Sequence, residues 1–181
     1  MYWANKGPDN TDATIGAALK TAKERNIKHL VVASSSGATA GKLAGCGYSV
    51  VCVSYHVGFD GPGSRRMSVE TEKELNEKGI RVLFTSHLLS GVERAVRNKF
   101  GGVYPAEIMA QTLRMLGQGL KVCVEVTGMA LDAGLIPYGE EIIAIGGSAK
   151  GADTAAIIVP AHANQFFDTK IKEIICKPSN F

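Results

Sequence analysis

Four hydroxyl side chains gather around one glycine at Ser34-Ser35-Ser36-Gly37-Ala38-Thr39, directly after the apolar run Leu30-Val31-Val32-Ala33. A small, polar segment between a buried strand and the start of a helix leaves backbone NH groups free. Such groups, helped by the helix dipole, hold anions and phosphate above all. Gly37 allows close backbone approach, and Ala38 and Ala40 leave room for packing. The pattern is neither a GxxxxGK[ST] loop nor a GxGxxG fingerprint. The hydroxyls of Ser34, Ser35, Ser36 and Thr39 exceed what capping one helix requires, which favours an anion site over a plain serine-rich cap.

A second segment, Gly146-Gly147-Ser148-Ala149-Lys150-Gly151-Ala152-Asp153-Thr154, follows the apolar run Ile142–Ile145. Paired glycines permit a left-handed turn whose NH groups form an anion nest. Lys150 adds a point charge suited to phosphate, and Asp153 and Thr154 suit either a sugar hydroxyl or the fixing of the turn. A glycine hairpin with its lysine in water is the plainer alternative. The third segment is Glu125-Val126-Thr127-Gly128-Met129, leading to Asp132. With Val122–Val126 read as a buried strand, Glu125 lies among apolar groups and must be paired, hydrogen-bonded or neutralised. An anchor for neighbouring NH groups is the expectation, and a general base is the alternative. Thr127 and Gly128 then suit a loop beside a ligand, with Met129 either against an aromatic ring or in the core. For a reaction on a phosphorylated metabolite, Glu125 and Asp132 are the acid/base candidates and Lys150 the charge stabiliser.

The remaining reactive residues say less. His29, His56, His87 and His162 form no HExxH and pair with no nucleophile at a recognisable spacing; His56 and His87 follow strands and so lie on the expected functional edge. The Gly58–Gly63 connection around Asp60 and Pro62 reads as a surface loop or a lid, and Arg65 and Arg66 beside it suit phosphate or water. Cys46, Cys52, Cys123 and Cys176 lie far apart without a CxxC, and three of them sit in apolar runs as small buried hydrophobes. No metal site is expected, and a reducing cytoplasm is the expected compartment.

These segments need a scaffold that brings strand ends together. Residues 10–26 carry Ile15, Ala18, Leu19 and Ala22 on one helical stripe, with Asp9, Asn10 and Thr11 available as caps. A small-residue helix from Ala38 to about Gly45, a strand Val50–Val53, a helix opened by Ser68, and a strand Ile80–Phe84 follow. Ser90 and Glu93 have capping-box spacing, and Pro105 suits the first turn of the next helix, which ends at Gly117 and Gly119. Val122–Val126, Ile142–Ile145, Ala155–Val159 and Ile171–Cys176 read as strands. Apolar strands alternating with helices give a three-layer α/β/α sandwich on a mostly parallel sheet, with ligands at the carboxyl ends of the strands. The whole chain, 1–181, reads as one domain.

Composition bounds the function classes. The chain has 181 residues, 20 basic and 17 acidic, for a formal charge of +3. That surplus is too small and too dispersed for a nucleic-acid footprint, and no run approaches the ~20 apolar residues of a membrane span. Hydrophobic residues at 45% and charged residues at 20% suit a folded globular chain.

Asn10–Thr14, His29–Ala40, Phe100-Gly101-Gly102, Ala110–Arg114, Lys121-Val122 with Glu125, and Gly146-Gly147 through Asp153-Thr154 together resemble a small family related to the pyruvate kinase C-terminal domain. The likeness runs over nearly the whole chain. It implies an α/β/α sandwich standing alone, without the barrel that gives pyruvate kinase its activity. It also implies that Ser34, Ser35, Ser36, Gly37 and Thr39 hold the phosphate of a ligand. Flavin mononucleotide (FMN) is the ligand the resemblance suggests, with Gly146, Gly147, Lys150, Asp153 or Thr154 near the remainder. A non-catalytic subunit of a homo-oligomer, paired through apolar helix faces, is a further reading.

Overall fold

The computed structural model describes residues 1–181. Its centre is built from β-branched runs too apolar to face water on either side. Strands β2 (His29–Ala33), β3 (Ser49–Ser54), β4 (Ile80–Phe84) and β5 (Ile142–Gly146) pair in parallel. With β1 (Tyr2–Asn5), β6 (Thr154–Val159) and β7 (Lys170–Asn180) they form a seven-stranded sheet of order β1-β7-β6-β5-β2-β3-β4. Only β6 runs against the others: it is antiparallel to β5 and β7, and β1 lies parallel to β7.

Alternation along the strands divides the core into two layers. Leu30, Val32, Val50 and Cys52 pack with Ile15, Ala18 and Ala22 of α1 (Thr11–Glu24) and with Leu75 of α3 (Val69–Glu77). Val31, Val51 and Val53 face the other way, onto Val126, Met129 and Ala130 of α6 (Gln118–Asp132). Burying each such side chain contributes roughly 1.5–3 kcal/mol before conformational entropy is counted. The helices α4 (Gly91–Phe100) and α5 (Pro105–Arg114) lie on the α6 side. The result is the three-layer α/β/α sandwich expected from the alternating pattern.

Several local expectations are corrected. Val122–Val126 is not a strand but the middle of α6, in which Gly119 to Leu131 are buried apart from Val122. A helix covered on all sides loses its polar stripe, so its apolar run looks like a buried strand. The segment after Gly37 is one turn, α2 (Ala38–Gly41), rather than a helix reaching Gly45. Asn10 precedes α1 without a side-chain cap; a 3-10 turn over Pro8–Asn10 leads in instead, and Thr11 Oγ1 donates to Pro8 O at 2.6 Å. Ser90 likewise makes no capping bond. Ser68 does cap α3, accepting from Thr71 N at 3.1 Å. Strand β1 had no signal beyond its four residues, and β7 is longer than Ile171–Cys176 because it pairs with both β6 and β1.

Candidate functional site

The chain leaves β2 toward β3 on one side, while β5 occupies its other side, so the strand order reverses between β2 and β5. Connections on either side of such a point diverge and leave a crevice beyond the carboxyl ends of the strands. Here the crevice is a cavity of about 840 Å³. Its walls bring together Ser34, Ser35, Ser36 and Thr39 after β2, Gly147 and Lys150 after β5, and Glu125 and Met129 on α6. Segments more than a hundred residues apart thus converge on one space within the ~300–1,000 Å³ range of small-molecule sites.

The serine segment is shaped by its own hydrogen bonds. Ser34 N donates to Val53 O at 3.0 Å, continuing the ladder one residue past β2. Cys52 Sγ lies 3.7 Å from Ser34 O, and Ser54 Oγ donates to Ser35 O at 3.0 Å. Because a trans peptide points its C=O and N–H in opposite directions, the amides of Ser35 and Ser36 are turned away from β3. From Ser35 to Thr39, five consecutive NH groups have no protein acceptor. The dipole expected of a full helix is missing, since α2 has a single turn; free amides and hydroxyls remain. Gly37 takes φ +88° and packs so tightly that a Cβ would lie 2.6 Å from Thr71 Cγ2. Glycine is therefore required there by the turn and by α3, and Gly37 does not itself line the cavity.

Charge in the cavity wall is unbalanced. Lys42, Arg94, Arg114, Lys121 and Lys150 face Asp12 and Glu125. Asp12 is taken by Lys42 at 2.7 Å and Glu125 by Lys121, so Arg94, Arg114 and Lys150 form no ion pair. Arg114 Nε instead donates to Gln118 Oε1 at 2.7 Å, and Arg94 lies over the Phe59 ring at 5.2 Å. Three cations without a carboxylate partner in one wall with free amides favour an anion over a cation there.

Glu125 and Lys121 are both buried and stand one helical turn apart. Glu125 Oε1 also accepts from Leu89 N at 2.9 Å, tying the segment before α4 to α6. Both carboxylate oxygens are therefore engaged, as an anchor requires. Burial pushes the Lys121 ammonium below the ordinary lysine range, and Glu125 opposes that shift. His87 lines the same cavity; burial lowers its imidazole to about 4, so it is neutral near pH 7. Its ring lies 4.9 Å from Tyr55, which also lines the cavity, and 5.3 Å from Phe59. His56 joins this aromatic group at 5.9 Å from His87 but is absent from the cavity wall. Asp60, in the Gly58–Gly63 connection, clasps Arg66 with two bonds of 2.6 Å.

Other expected site residues serve the scaffold. Thr127 and Gly128 are helical rather than in a loop: Thr127 Oγ1 donates to Cys123 O at 3.0 Å, and Gly128 admits Leu88 against α6. Asp132 ends α6 away from the cavity, accepting from Ala163 N at 3.3 Å with His162 Nδ1 at 2.8 Å. Gly146 finishes β5 beneath the Gly119 carbonyl; the left-handed residue of the 146–154 turn is Gly151, not the glycine pair. Asp153 is buried, and its Oδ2 accepts from Gly7 N at 3.1 Å and Ser148 N at 3.2 Å. Its Oδ1 accepts from Thr154 Oγ1 at 2.8 Å. Asp153 and Thr154 thus hold the cavity rim without facing a guest.

Lys42, Tyr55, Arg94, Arg114 and Lys121 were not singled out by sequence as site residues. Lys121 alone carried a usable signal, its spacing of four from Glu125, which fits a helix and not the strand assumed there.

An open α/β sandwich with a cationic cavity at its switch point defines the architectural class of this chain. Residues 12–158 match the family model described as Pyruvate kinase, alpha/beta domain. The match covers most of the 181 residues, and the chain belongs to that family.

Proposed function

We propose that the switch-point cavity binds a phosphate-bearing small molecule, and that FMN is its ligand. The observation that supports this reading is the run of acceptor-free amides from Ser35 to Thr39, four of whose residues line the cavity, in a wall that also carries three cations without acidic partners. A phosphate there accepts from the amides and from the Ser35, Ser36 and Thr39 hydroxyls, with Lys150 and Lys42 as neighbouring charges. Tyr55, His87, Val126 and Met129 supply aromatic and apolar surface in the same cavity and would hold the planar ring. A redox or regulatory role follows from the ligand's chemistry. Kinase activity is not part of the proposal, because fold kinship does not carry a reaction with it.

The test is titration of ligand-free protein with FMN, followed by flavin fluorescence, with riboflavin and inorganic phosphate as comparisons. Saturable FMN binding, competition by phosphate and weak riboflavin binding are expected. Ser36 is exposed, so Ser36→Asp leaves the fold intact and places a negative charge at the phosphate position. Affinity is expected to fall tenfold or more, about 1.4 kcal/mol. Equal affinity for riboflavin and FMN refutes the phosphate reading; absence of any flavin binding refutes FMN.

A further inference from the structure

Lys121 is the one buried lysine of the chain, and it stands in the wall between two cavities. Beside the switch-point cavity lies a second, polar space of about 230 Å³, bounded by α4, α5 and the start of α6. Arg94, Arg114 and Lys121 line both. Lysines normally keep the ammonium in water and bury only the stem. The Lys121 side chain is instead 8% exposed, with the Glu125 carboxylate as its ionic partner. Burial lowers its ammonium below the ordinary range; Glu125 opposes that shift, and Arg114 and Arg94 add to it. A purely structural pair is satisfied in a dry core, whereas this one borders two open spaces.

The arginines beside it are short of acceptors. Arg114 Nε donates to Gln118 and Arg94 lies over the Phe59 ring, so the terminal amino groups of both remain for a guest. A guanidinium fork matches a carboxylate through two parallel bonds. Arg97 is already held by Glu107 at 2.7 Å, and Glu93 is the one carboxylate of this wall without an ion pair, against two such arginines. The space is smaller than the ~300–1,000 Å³ of ordinary ligand pockets and suits a guest of few carbons.

We propose that the Lys121 amine forms an imine with a small 2-oxo acid, whose carboxylate is held by Arg94 and Arg114. The ammonium first passes a proton to Glu125. The amine nitrogen then bonds to the carbonyl carbon, and proton transfers through Glu125 turn the adduct into a carbinolamine. Glu125 protonates the hydroxyl, the C–O bond breaks, and water leaves. One ammonium and one carbonyl thus give one protonated imine and one water. Glu125 ends as a carboxylate, and no outside oxidant or reductant is consumed. A lysine relieved of its proton by desolvation and neighbouring cations is the usual form of such a nucleophile. This inference stands independently of the ligand assigned to the switch-point cavity.

Incubation of the unmodified chain with 2-oxobutyrate and cyanoborohydride at pH 7 tests it, with methyl 2-oxobutyrate as the comparison that lacks the negative charge. Cyanoborohydride delivers hydride to the imine carbon and fixes the adduct as a secondary amine. The expected result is one added group per chain, mapped to Lys121 by peptide mass spectrometry, and formed at least tenfold faster with the acid than with the ester. Lys121→Arg keeps a cation beside Glu125 but cannot form an imine; with its fold checked by circular dichroism, it is expected to lose the adduct. The peptide map of the unmodified chain decides the matter even where that variant misfolds. No adduct, or one confined to exposed lysines such as Lys20 and Lys73, overturns the proposal. So do equal rates with acid and ester, or an adduct undiminished in folded Lys121→Arg.

Discussion

Replacing Lys121 by Met measures how strongly the floor of the cavity depends on its buried ion pair. Glu125 is 2% exposed, and without Lys121 its carboxylate keeps only the Leu89 NH as a partner. Breaking a buried pair by removing one member costs about 3–5 kcal/mol, because the remaining charge is neither solvated nor compensated. For a chain of this length, ~2–4 °C per kcal/mol converts that cost to a fall in Tm of roughly 6–20 °C. The double variant Lys121→Met with Glu125→Leu removes the orphaned charge and leaves only the Leu89 amide unpaired, a loss of about 1–3 kcal/mol. The double variant is therefore expected to be more stable than the single one. Urea unfolding followed by far-ultraviolet circular dichroism gives both free energies, and an unchanged slope shows that the comparison is of like states. A loss under about 1 kcal/mol for Lys121→Met, or a double variant weaker than the single, refutes the account of Glu125 as a desolvated anchor.

Three other expectations follow from the geometry. Asp153→Ala strips the acceptor from Gly7 N, Ser148 N and Thr154 Oγ1; a loss of about 2–4 kcal/mol is expected in thermal unfolding, with faster hydrogen exchange in residues 147–151. His87 has a folded pKa of about 4 against an ordinary 6.5, so the unfolded chain binds the proton first as pH falls. Its contribution is whole above 6.5 and is lost between 6.5 and 4, on the order of 1 kcal/mol after discounting for partial exposure; His87→Asn is expected to flatten that part of the stability–pH curve, and an unchanged curve refutes it. Burial holds the Cys52 thiol up at about 12 and raises those of Cys123 and Cys176. Iodoacetamide near pH 8 is therefore expected to modify Cys46 alone in the native chain, as read by mass spectrometry.

The strand-end segments were readable because each couples a change of composition to a change of structure. Leu30–Ala33 is uniformly apolar, Ser34–Ser36 is not, and the chain must leave the sheet where hydrophobicity stops. The same logic located the turn after Ile145. It failed at Val122–Val126, where burial on every side erased the helical stripe, and so it placed Thr127 and Gly128 in a loop that does not exist. Asp153 shows another limit: its partners include Gly7, 146 positions away, and no local pattern announces that contact. The cations Arg94 and Arg114 look like ordinary surface arginines in sequence, because what distinguishes them is the space between two helices. Strand β1 was missed because four residues of edge strand, three of them exposed, carry almost no alternation.

The reversed direction of β6 reaches beyond the sheet diagram. Since β5 returns through a tight turn instead of a crossover helix, one rim of the cavity is a short loop, and that loop is sewn to the beginning of the chain. Asp153 grips Gly7, and Ala152 N donates to Thr11 Oγ1 at 3.0 Å. The first seven residues thus behave as a remote handle on that rim: trimming or rebuilding them is expected to loosen the 147–153 loop, although none of them lines the cavity.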